Sequence, residues 1–85
     1  MPNVTIYTTS LCPYCHRAKG LLKRKNVNFT EIDVCSDFAK RSAMFERANG
    51  CRTVPQIFIG NTHVGGSDDL HALESAGKLD ALLMA

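Results

Sequence analysis

The spacing of apolar residues changes repeatedly along this chain, and each change marks an element. Val4, Ile6 and Tyr7 read as a short strand over roughly residues 3–8. From Pro13 to about Lys25 the period becomes helical, with Cys15, Ala18 and Leu22 on one face and Leu21 beside it. Asn26 breaks that helix, and Phe29 to Val34 alternate as a second strand. Ser36-Asp37 offers an N-cap for a helix expected over 37–48, with Phe38, Phe45 and Ala48 as its core contacts. Asn49-Gly50 ends it. Gln56 to Ile59 reads as a third strand, Gly60-Asn61 as a hairpin turn, and Thr62-His63-Val64 as the returning strand. After Gly65-Gly66, Ser67-Asp68-Asp69 is expected to cap a helix through Leu70 and Leu73. Gly77 interrupts it, and Leu79, Leu82 and Leu83 form a last apolar stripe.

The order is β-α-β-α-β-β-α with a short closing helix. A strand–helix–strand start brings two strands together in parallel, and the later hairpin adds an antiparallel pair. The expected fold class is α/β, a four-stranded mixed sheet flanked by helices on both faces in a thioredoxin-like arrangement. With 85 residues the chain has room for one domain, 1–85, and its 45% hydrophobic content supports a core without disulfides or metal. The net charge of +2 is too mild to argue for nucleic acid. The basic residues do cluster, from His16 and Arg17 through Lys19 to Lys23, Arg24 and Lys25. Such a run is ordinarily a solvated helix face, and here it also places a positive field beside Cys12. Met1-Pro2-Asn3 lacks the basic start of an export signal, and the apolar run after it is too short for a membrane span. A cytoplasmic location and no membrane partner are therefore expected.

Cys12-Pro13-Tyr14-Cys15 carries the candidate chemistry. Two thiols three positions apart can close a small disulfide ring and reopen it. The motif sits where the first strand ends and the first helix begins, and Pro13 suits the first turn. Unpaired N–H groups at a helix start stabilise an anion. A free thiol titrates near about 8.5, and helix N-termini and CxxC motifs bring that to roughly 3.5–7.5. Cys12 is thus expected to be exposed and ionised, and Cys15, on the core face, more buried and less ionised. The motif alone is equally compatible with a redoxin recycled by a reductase, or with half of a metal site. Cys35 and Cys51 do not form a second CxxC, so the spacing is a poor zinc signature and both read as spare or partly buried thiols. No metal ligand is assigned. His63 and His71 are expected to be structural, because exchange at a pre-ionised thiol needs no dedicated base.

Three segments together resemble one family. Cys12-Pro13-Tyr14-Cys15, Thr53-Val54-Pro55 and Gly65-Gly66-Ser67-Asp68 are similar to the dithiol glutaredoxins, and the likeness runs over nearly the whole chain. It looks closest to the short bacterial glutaredoxin 3 type, as in Ile6-Tyr7-Thr8, His16-Arg17-Ala18-Lys19 and Asp68-Asp69-Leu70. The resemblance implies a glutathione-dependent thiol–disulfide oxidoreductase with Cys12 as nucleophile and Cys15 as resolving thiol. It implies glutathione as co-substrate, with no permanently bound cofactor. Tyr14 and Thr53 would flank the tripeptide, Val54 would meet its cysteinyl backbone, and Pro55 would be a cis-proline beside the motif. Gly66, Ser67 and Asp68 would hold the γ-glutamyl end. The chemistry of those residues agrees, since N–H groups opening a helix suit a carboxylate and the Asp68 side chain suits an α-ammonium. The implied partners are glutathionylated or disulfide-bearing proteins, ribonucleotide reductase among them, met by a monomer. Family members often carry a lysine at the end of the first strand. That place is read here as Thr8, leaving Lys19 or Arg52 as candidate cations for the glycyl carboxylate.

Overall fold

The computed structural model describes residues 2–85. Its elements are β1 (Val4–Thr8), α1 (Pro13–Arg24), β2 (Thr30–Asp33), α2 (Phe38–Arg47), β3 (Gln56–Ile59), β4 (Thr62–Gly65), α3 (Ser67–Ser75) and α4 (Leu79–Met84). The strands form one sheet in the order β2-β1-β3-β4. β1 and β2 run parallel, while β1–β3 and β3–β4 are antiparallel. This is the mixed, thioredoxin-like arrangement expected from the pattern.

Alternation along the strands sorts the apolar residues onto two faces. Val4 and Ile6 of β1 join Ile57 and Ile59 of β3 beneath Ala18, Leu21 and Leu22 of α1, Leu70 of α3, and Leu79 and Leu83 of α4. Tyr7 and Phe58 point the other way and pack with Val34 and with Met44 and Ala48 of α2. Every strand–helix crossover therefore buries an apolar stripe on one side of the sheet. Helix α1 starts with Cys12 as N-cap and Pro13 in the first turn. It ends at the cap residue Lys25, and Asn26 follows with φ of 58°. The C-terminal ends of β1 and β2 lie together, so the loop before α1 and the loop before α2 share one edge of the sheet.

Two expectations are corrected. Phe38 is not a core contact: it is 84% exposed, and Met44 takes the buried position with Ala48 one turn further on. Residues 44 and 48 share a face at i, i+4, whereas Phe38 lies on a different face of the same helix. Phe45 is only half-buried, and the Arg52 guanidinium lies 5.0 Å from its ring centre. The cap of α3 is Gly66 rather than Ser67, because β4 runs on to Gly65 and leaves only one residue between the elements. Among the described residues no helix is long and apolar enough to cross a membrane.

Candidate active site

The loop after β1 delivers Cys12 to the N-cap of α1, where its sulfur meets the first turn of the helix. The Cys15 N–H donates to Cys12 Sγ at 3.1 Å, and the Cys12 thiol faces the Val54 carbonyl at 3.8 Å. A backbone donor at a helix start favours negative charge on that sulfur. Both thiols are free. Cys12 was expected to be exposed, but only 7% of it is accessible, because Val54 and its neighbours lie against the sulfur. Cys15 is covered further, at 1%. Its thiol is pushed up to about 12, first by burial, then by its hydrogen bond with Cys12 and, less, by the charge there, while the Thr9 backbone and Lys19 pull the other way. The expectation for Cys15 holds, buried and hard to ionise, whereas Cys12 is covered rather than exposed.

Seven positions singled out in the sequence line one groove. Tyr14, Thr53, Val54, Pro55, Gly66, Ser67 and Asp68 surround a volume of ≈ 380 Å³, a size typical of small-molecule sites. The Val54–Pro55 peptide is cis. Tyr14 is 53% exposed and its ring lies beneath the Arg17 guanidinium, 5.8 Å away. At the other end of the groove the Asp69 carboxylate accepts the Gly66 N–H at 2.9 Å, which closes the start of α3. Gly65 has φ of +112°, and a Cβ there would run into that carboxylate. The turn from β4 into α3 therefore needs glycine at this position. Ser67 is buried, with its hydroxyl 3.4 Å from His71 Nδ1, while Asp68 is exposed. His71 Nδ1 also donates to the Ser67 carbonyl at 2.8 Å.

Six further groove residues had no binding role assigned from the sequence: Cys51, Gln56, His63, Val64, Gly65 and Asp69. A polar residue opening an otherwise apolar strand was the available signal for Gln56, which is only 2% exposed. Thr8 and its candidate substitutes fall elsewhere. Thr8 shares its face with Ile6, so its hydroxyl turns inward and donates to Glu31 Oε2 at 2.7 Å. Lys19 is paired with the same carboxylate oxygen at 2.9 Å, and Arg52 lies over Phe45. Lys19 first and then Thr8 hold Glu31 below the usual carboxylate range. Thr9, the residue just after β1, is half-buried.

A glutaredoxin family model matches residues 4–64. The chain belongs to the glutaredoxin family. It is 64% identical over 85 residues to a glutaredoxin of Pseudomonas aeruginosa, covering 100% of both chains. It is 55% identical over 83 residues to glutaredoxin 3 of Escherichia coli, covering 98% of this chain and 99% of that one. A crystal structure of a buckwheat glutaredoxin–glutathione complex superposes with a TM-score of 0.87 at 29% identity, covering 98% of this chain and 77% of that one. This glutaredoxin is accordingly an enzyme, a glutathione-disulfide oxidoreductase.

Proposed function

We propose that this glutaredoxin reduces glutathione mixed disulfides and protein disulfides through the Cys12-Pro13-Tyr14-Cys15 dithiol, with glutathione bound along the groove between Tyr14 and α3. The observation that carries the reading is the position of Cys12 Sγ. It accepts the Cys15 N–H at 3.1 Å and abuts the Val54 carbonyl, which belongs to the groove wall.

Cys12 thiolate attacks the glutathione sulfur of a mixed disulfide. The S–S bond breaks, the substrate thiolate leaves and takes a proton from water, and Cys12 carries glutathione. A second glutathione thiolate attacks that sulfur of glutathione, releasing oxidised glutathione and Cys12 thiolate. In thiol–disulfide exchange a thiolate can both attack and leave, so one sulfur serves in both steps. For a protein disulfide, Cys12 forms a bond to one substrate sulfur and the other leaves as thiol. Cys15 then loses its proton, attacks Cys12, and expels the second substrate thiol. Two glutathiones reduce the resulting Cys12–Cys15 bond.

The pushed-up Cys15 thiol fits this order. While Cys12 is an anion, its charge and hydrogen bond keep the proton on Cys15. Once Cys12 is tied in a mixed disulfide, both effects disappear and Cys15 ionises more easily. In the groove, the Val54 backbone would pair with the cysteinyl residue of glutathione, with Tyr14 and Thr53 at its sides. The free N–H groups of Ser67 and Asp68 suit the γ-glutamyl carboxylate, and the Asp68 side chain suits its ammonium.

The test uses two variants with glutathione and a small mixed disulfide, then a protein disulfide. Cys15→Ser retains the first activity and loses the second, whereas Cys12→Ser loses both. Substantial turnover of the mixed disulfide by Cys12→Ser would refute the assignment.

A further inference from the structure

We propose that His63 is a positioning residue for the reaction, acting through Gln56 on the loop that bounds the catalytic sulfur. The inference rests on the reading of the groove as the glutathione site. Three hydrogen bonds carry it. Gln56 Nε2 lies 3.0 Å from the Thr53 carbonyl and 3.2 Å from Thr53 Oγ1, and Gln56 Oε1 lies 2.6 Å from His63 Nε2.

The direction of this chain follows from its last member. A backbone carbonyl only accepts, so the Gln56 amide nitrogen must face Thr53. Its oxygen then faces His63 and can only accept. His63 must therefore carry a proton on Nε2, as the neutral Nε2–H tautomer or as the cation. The ring is held for this by stacking on Phe58, with centroids 4.9 Å apart and planes at 23°. Phe58 is itself 1% exposed and set edge-on against Tyr7. Gln56 is 2% exposed, so its amide would be left with an unmatched buried oxygen if His63 were removed.

The strand pairing explains why a histidine of β4 reaches Gln56. Phe58 pairs with His63, so their side chains stand on one face of the sheet, and Gln56, two residues before Phe58 in β3, shares that face. Ile57 pairs with Gly65, so Val64 is an extra residue and the regular ladder ends beside His63. Gln56 directly follows the Thr53-Val54-Pro55 loop. That loop holds the Val54 carbonyl 3.8 Å from Cys12 Sγ. His63 thus sets the loop against the sulfur without touching the reacting atoms.

Loosening the loop weakens contacts made to glutathione in the ground and transition states alike. It should raise KM and leave kcat nearly unchanged. Loss of one buried hydrogen bond corresponds to about a five- to tenfold rise. The experiment combines a spectroscopic and a kinetic reading. Long-range ¹H–¹⁵N NMR of the unmodified protein above the histidine titration range should show His63 as the Nε2–H tautomer; an Nδ1–H tautomer overturns the proposal and needs no variant to fold. His63→Leu should raise KM for a glutathione mixed disulfide with kcat changed less than about twofold, and His63→Gln, which restores a donor, should recover most of the affinity. An unchanged KM in His63→Leu, or equal impairment in both variants, overturns it. Failure of the underlying groove reading would show instead as unmoved amide signals of Val54, Ser67 and Asp68 when the Cys15→Ser form takes up glutathione on Cys12.

Discussion

At the scale of single residues, the two active-site sulfurs differ because one caps a helix and the other lies a turn inside it. Burial is the largest cause of the high Cys15 value, and Cys12 supplies two of the others. Replacing Cys12 by alanine should therefore lower the pH at which Cys15 becomes reactive below about 12, yet leave it above that of an ordinary thiol. The check is the rate of Cys15 alkylation against pH, read by peptide mapping so that the exposed Cys35 and Cys51 are counted apart. An unshifted midpoint would mean that burial alone sets it. Much of this site was legible beforehand, because the Cys12–Cys15 spacing, Pro13 at a helix start and the glycines before Ser67 are local signals. Thr8 was legible too, in principle: its parity with Val4 and Ile6 directs it inward. Gln56 and His63 were not, since their contact is a diagonal one across two strands and depends on the hairpin register, which no local pattern announces.

At the scale of elements, two places show how local chemistry decides the geometry around the groove. In α2 the apolar residues are few, so the phase of the buried stripe is weakly specified by the pattern, and aromatic Phe38 is a more tempting anchor than Met44. The structure orders them the other way. Met44→Ala should cost about 2–5 kcal/mol by leaving a cavity between α2 and the sheet. Phe38→Ser should change stability by less than about 0.5 kcal/mol. Urea unfolding of both variants measures this directly, and a comparable loss in each would contradict the packing. The second place is the turn into α3. Gly65→Ala forces a side chain into a positive-φ position and against the Asp69 carboxylate. Strain of this kind costs on the order of 1–3 kcal/mol, and here it also releases the Gly66 N–H from its acceptor. Glutathione affinity should fall along with the melting temperature, whereas Phe38→Ser leaves both in place. Calorimetric titration of the Cys12→Ser form with glutathione, which cannot exchange there, would show a Gly65→Ala effect as weaker binding.

At the scale of the whole molecule, α1 is fastened at both ends by charge. Near its start, Lys19 pairs with Glu31 of β2, which also accepts the hydroxyl of Thr8 in β1. At its end, Lys25 reaches Glu74 of α3 and Asp80 of α4, at 2.9 and 2.8 Å. The two clusters respond to opposite ends of the pH scale. Glu31 is lowered in the folded protein, first by Lys19. Its contribution is therefore present above the unfolded carboxylate value of about 4.3 and is lost as the pH falls through the folded value. Lys25 is raised, first by Asp80 and then by Glu74. Its contribution is present below about 10.4 and is lost as the pH rises through the folded value. The Glu31 side chain is 40% exposed, so solvent screens the pair and its worth stays within about 1 kcal/mol. Glu31→Gln should flatten the loss of stability below about pH 4.3. Lys25→Met should flatten the alkaline limb above about pH 10.4. Denaturation midpoints across pH, at low and high salt, test both. Salt should shrink each difference from the unmodified chain. If Lys25→Met left the alkaline limb as steep as in the unmodified chain, the charges of Asp80 and Glu74 would not be what holds Lys25 at the end of α1.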